Sequence, residues 1–211
     1  NQINTSGDYP PIFYGVMSIF ASADIQASVI AMRIFNAILC IGVFTAIFWL
    51  LPHRIRSAAV IPMIATAVPL GLFIIPSTNP SSWAYMSAGI VWAAAYGALN
   101  STGPRVWWLW GFAILGTVMG AGARADAAAY AVLALVLALI LSARPGRALI
   151  TTAIASIATV AVAAALYLTA SQTRAVTSGL PGFEQPLSPG QIFRNALDVP
   201  SLWTGALGGG G

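Results

Sequence analysis

The sequence predicts an all-α fold: a polytopic transmembrane helix bundle with about six spans. Three observations carry that expectation. Of the 211 residues, 58% are hydrophobic and only 7% are charged, and mean hydropathy is +0.83. An ordinary soluble domain carries roughly 25% charged residues, so a water-facing surface could not be clothed here and lipid must be most of the solvent. Second, the apolar residues fall in long runs, most of them able to cross the hydrocarbon core as a helix. Third, the charges sit between those runs rather than along them.

The elements follow in order. Residues 1–8 are polar, and Tyr9-Pro10-Pro11-Ile12-Phe13-Tyr14 then gathers prolines and aromatics as at a membrane interface. A proline in the first helical turn forfeits no hydrogen bond, so Pro10 and Pro11 open a short helix through about Phe20. Ser22 or Asp24 caps the first span, which runs to about Leu51. The basic loop 52–57 leads to a second span over 58–75, with a kink expected at Pro69. A polar bend over 76–83 then reads as a tight turn, with Asn79 as N-cap and Pro80 at the first helical position of a third span, 83–99. The loop 100–105 precedes a fourth span ending near Ala123, whose Gly116 and Gly120 allow close approach of another helix. A short fifth span covers 127–141, a third basic loop covers 142–147, and a sixth span covers 148–169. Residues 1–169 thus form the bundle. Residues 170–211 form a polar tail in which Ser188-Pro189 starts an amphipathic helix suited to the membrane surface.

Charge gives an orientation. If Arg54, Arg56, Arg105, Arg144 and Arg147 are cytoplasmic, the acids Asp8, Asp24, Asp126, Glu184 and Asp198 all lie at or near the outer face, with the tail. A site that uses carboxylates would then lie outside. The net charge of +4 comes from scattered arginines, with no lysine and no basic stripe, which excludes a nucleic-acid partner. The lone Cys40 excludes a disulfide framework and a cysteine-based zinc site. Arginine-only basic residues with abundant alanine suggest GC-rich bacterial coding and hence a bacterial plasma membrane.

Each candidate site residue has two readings. Asp8 is either a general base or metal ligand that activates an acceptor hydroxyl, or a solvated loop acid. Arg33, well inside the first span, either binds a lipid phosphate through its forked donors or is paired within the bundle or snorkels outward. Arg124 and Asp126 either line a polar outer vestibule, or Asp126 favours the positive end of the fifth helix. Asn79 and Ser82 either meet a glycan hydroxyl or serve the turn. Trp107, Trp108 and Trp110 either stack on sugars or form an interfacial belt. His53 has no second metal ligand at coordination spacing, and no P-loop, zinc signature or nucleophile elbow is present.

The Pro10-Pro11 segment followed by Arg33 in the next helix resembles the GT-C glycosyltransferase superfamily. The bend Asn79-Pro80-Ser81-Ser82, Ile61-Pro62-Met63, Arg124-Ala125-Asp126 and Ser201-Leu202-Trp203-Thr204-Gly205 are similar to the bacterial membrane family called domain of unknown function 2142. The resemblance implies a GT-C-like fold and a membrane glycosyltransferase in cell-envelope glycan assembly, with a polyprenyl-phosphate sugar donor, a glycan acceptor and a divalent metal near an early acid. In that picture Arg33 holds the donor phosphate and Asp8 lies near the acceptor. The chain starts at Asn1 without an initiator Met or signal-peptide pattern and stops in Gly208 to Gly211, so it reads as a piece of a longer protein, one that begins after the acidic first outer loop that the resemblance implies. The alternative reading is non-enzymatic: a scaffold, or a transporter of a lipid-linked or hydrophobic substrate.

Overall fold

The computed structural model describes residues 10–65, 69–142 and 149–169, together with Gly190 and Phe193. Eight helices run through the described residues: α1 Pro11–Ser18, α2 Ile25–Leu50, α3 His53–Ala65, α4 Pro69–Ile74, α5 Ser81–Leu99, α6 Arg105–Ala123, α7 Ala125–Ser142 and α8 Leu149–Thr169. Four of them, α2, α6, α7 and α8, are long and apolar enough to cross a membrane. The protein is therefore a multi-pass membrane protein. Asp8 and nearly all of the expected tail helix fall outside the described residues.

Local chemistry explains most of the ends. Asp24 caps α2: its side chain accepts from the Ala27 amide at 3.0 Å, while Ser22 instead bonds the Ser28 hydroxyl. Asn79 Oδ1 accepts from the Ser81 amide at 2.9 Å, and Pro80 already has helical dihedrals, so these two residues start α5 as their types suggest. Over the expected span 58–75 the described residues are helical through Ala65 and again from Pro69, and residues 66–68 lie outside the description. Pro69, which has no N–H for a helical ladder, stands first in α4. The expected basic loop 52–57 is largely the first turn of α3, closed by the Ile55 amide on the Pro52 carbonyl at 3.0 Å. Arg56 reaches back to the carbonyls of Trp49 and Leu51 and so finishes the C-terminus of α2.

α5 is the centre of the bundle, packed most closely on α6 and α7. It is less apolar than the four spanning candidates, a composition that its burial permits. Ser82, Ser87, Ala94 and Ile90 on it are all buried to 0% exposure, so its neighbours, not lipid, are its solvent. Small residues replace apolar bulk. A Cβ at Gly116 of α6 would lie 2.7 Å from Ile90 Cγ2, and one at Gly120 would run into Ser87, so these glycines set the close α5–α6 approach. Around this centre Phe13 packs edge-on against Trp83, with ring centroids 5.3 Å apart, and Ile47, Leu51, Met86, Leu109 and Leu135 complete the core. The outer helices turn bulky side chains outward: Ile30, Ile34, Ile38 and Ile41 on α2, and Ile150, Ile154 and Ile157 on α8. Apolar stripes of this extent belong against lipid.

Candidate functional site

The bend between α4 and α5 lies at one end of the bundle and is held by side chains from two neighbouring elements. From α2, Arg33 Nε donates to the Pro76 carbonyl at 3.2 Å and Asn36 Nδ2 donates to the Ser77 carbonyl at 2.6 Å. Asn36 is fully buried, and its Oδ1 accepts from Trp83 Nε1 at 2.9 Å. Ser82 Oγ donates to the Ile75 carbonyl, so Ser82 serves the turn rather than facing a ligand. From the α6–α7 junction, Arg124 Nη1 donates to Ser81 Oγ at 3.1 Å. Arg124 also grips Asp126 with two parallel bonds, Nε to Oδ1 at 3.0 Å and Nη2 to Oδ2 at 2.9 Å, the forked geometry that suits guanidinium and carboxylate. Asp126 lies in the first turn of α7, where a negative charge meets the positive helix end.

Beneath this polar end lies a cleft of about 750 Å³ between α2, α5 and α7. Its mouth is polar, with Ser81, Arg124 and Asp126. Its body is apolar, with Phe44, Ile47 and Phe48 of α2, Ile75, and Ala84, Met86 and Ala93 of α5. The lining on α5 extends from Ser81 to Ala93, a rise of about 18 Å. Arg33 does not line the cleft, but it is seven residues before Cys40, which does. Two helical turns place it on the same face of α2, about 10 Å nearer the bend end.

Of the sequence candidates, the structure brings Asn79, Arg124 and Asp126 together through Ser81, and it ties Arg33 to the other side of the same bend. Sequence reasoning missed Ser81, Tyr85 and Tyr130 as cleft residues. The signal was there, since Ser81 and Tyr85, and likewise Asp126 and Tyr130, are four apart and share a helix face. Trp107 and Trp108 are exposed at the opposite end and Trp110 is buried, so an indole belt describes only the first two. His53 Nδ1 meets Arg56 Nη1 at 3.0 Å. Among the described residues no three His, Cys, Asp or Glu side chains lie together as a metal site requires, and Asp126 is already committed to Arg124. These residues do not fit a divalent metal.

No curated protein and no solved structure matches the chain. Residues 1–205 match the family described as a predicted membrane protein, DUF2142. With nearly the whole length matched and four membrane-crossing helices in place, the chain belongs to the DUF2142 family of membrane proteins.

Proposed function

We propose that this protein is a GT-C-like glycosyltransferase of the bacterial plasma membrane that takes a lipid-linked sugar for cell-envelope glycan assembly. The observation that carries the reading is the cleft: a long apolar trough with a charged, hydrogen-bonding mouth is shaped for an amphiphile with a polyprenyl chain below and a phosphate above. Arg33 is the phosphate-holding group. Only its Nε is engaged among the described residues, which leaves the two terminal nitrogens, with four N–H donors, for an oxyanion. Arg124, Asp126 and Asn79 border the sugar, and Asp8 lies towards the acceptor. In this reading α5 and the α3–α4 segment also cross the bilayer, giving six spans, with the acidic loops and the tail outside.

One observation favours a second reading, a carrier or scaffold without chemistry. The acid at the cleft, Asp126, has both carboxylate oxygens on Arg124, so it is not free to act as a general base.

The test is binding of a polyprenyl phosphate to the full-length protein in nanodiscs. Wild type is expected to bind, and Arg33→Ala to bind about tenfold more weakly, as for loss of one charge-assisted contact, while its melting temperature falls only slightly, through loss of the hydrogen bond to Pro76. Absence of binding by folded wild type overturns the lipid-linked-sugar reading. Binding with no sugar transfer to any glycan acceptor selects the carrier.

A further inference from the structure

At the end of the bundle opposite the bend, a second, polar depression of about 590 Å³ is lined by Pro52, His53, Arg54, Asn100, Ser101, Thr102 and Arg105. We propose that it is a binding site for a phosphate anion. Five features converge on it. His53 and Arg54 are the first residues of α3 and Arg105 is the first residue of α6, so two helix N-termini, each with a partial positive charge, open into one depression. No side chain caps α6. Arg54 and Arg105 have no ion pair and no hydrogen bond among the described residues, unlike the neighbouring Arg56, each of whose three side-chain nitrogens has a partner. Ser101 Oγ is enclosed and has no hydrogen-bond partner among the described residues, a state that costs free energy unless something accepts from it. Among the described residues no carboxylate lines the depression.

Two sources could supply the phosphate, a lipid headgroup or a soluble phosphate ester. The exposed Trp49, Trp107 and Trp108 lie on the last turn of α2 and the first turn of α6, beside the site. Exposed indoles mark headgroup depth, which puts the depression where the phosphates of anionic lipids lie.

The full chain in phosphatidylcholine nanodiscs, doped with phosphatidylglycerol and read by native mass spectrometry, tests the lipid source. Titration with inorganic phosphate in detergent, read by calorimetry, tests the soluble one. Wild type is expected to retain phosphatidylglycerol over phosphatidylcholine, and Arg54→Gln/Arg105→Gln to lose about tenfold in affinity for each arginine removed. Polyprenyl phosphate binding through Arg33, at the opposite, bend end of the bundle, should be unchanged in that variant, which keeps this test separate from the one above. Retention of phosphatidylglycerol without response to phosphate assigns a lipid site; response to phosphate alone assigns a soluble one. Ser101→Ala is expected to weaken binding while leaving the ligand-free melting temperature equal or higher. Binding of neither anion by wild type overturns the proposal, as does equal binding by a double variant that melts like wild type. So does a Ser101→Ala variant with a lowered ligand-free melting temperature and unchanged affinity.

Discussion

The two ends of the bundle use the same residue type to opposite effect. At the bend, arginine is structural as well as polar: Arg33 ties α2 to the Pro76 carbonyl, and Arg124 ties the α6–α7 junction to Ser81 and Asp126. At the other end, Arg54 and Arg105 stand over a depression with no carboxylate in its lining among the described residues. The bend end is held by directed hydrogen bonds within the fold, whereas at the far end Arg56 alone of the described arginines bonds back to the fold and Arg54 and Arg105 present charge outward. A charged residue in a membrane protein is therefore interpreted from its partners, not from its type.

The comparison can be broken hardest at Asn36. Its carboxamide bonds both Ser77 and Trp83 from a fully buried position. Asn36→Leu leaves an indole N–H and a carbonyl unpaired and should cost about 3 kcal/mol. Thermal unfolding in detergent measures this, and a melting temperature equal to wild type would show that the bend does not depend on Asn36. Next is the α5–α6 approach. Gly120→Leu forces a side chain into Ser87 and should cost about 2 kcal/mol through overpacking, measured in the same way, whereas Gly111→Leu, at a position with nothing near the added carbon, should be neutral. The smallest effect is expected at the ion pair. Arg124 and Asp126 side chains are 37% and 49% exposed, so Arg124→Gln should cost only about 0.5 kcal/mol, the scale of a solvent-screened pair. Arg54→Gln, with no partner to lose, should leave the melting temperature unchanged. A destabilisation at Arg54 as large as at Arg124 would erase the distinction between the ends.

Much of the fold was legible in the sequence because helix boundaries in membranes are set by local signals. Asp24, the Asn79-Pro80 pair and the break at Arg124 each mark an end that the structure keeps, and the third to sixth expected spans match α5 to α8 within two residues at nearly every end. Two things were not legible. The third expected span, α5, is less apolar than the four spanning candidates and is the buried centre, a place hidden in the sequence because the mean composition of a helix does not reveal which neighbours surround it. The cleft was hidden for a related reason. Its residues come from α2, α5 and α7, far apart in the chain, and only their tertiary arrangement makes a trough of Phe44, Ile47 and Met86 beneath Arg124. The link between Arg33 and the bend likewise spans 43 residues, a separation that no local pattern encodes.

The junction between α6 and α7 bears on how the protein is built into its membrane. A single extended residue, Arg124, joins the two helices, so they can enter the bilayer as a hairpin with almost no loop. Its partner Asp126 is only two residues away, and the pair can therefore form before the rest of the bundle is present. An isolated arginine at the bilayer centre costs about 3 kcal/mol on insertion scales, and a hairpin tip carrying its own counter-charge has no net charge to drag across. The Arg54 and Arg105 loops, with no acid of their own, lack that compensation. During biogenesis the Arg124 tip is thus the cheaper of the two ends to translocate.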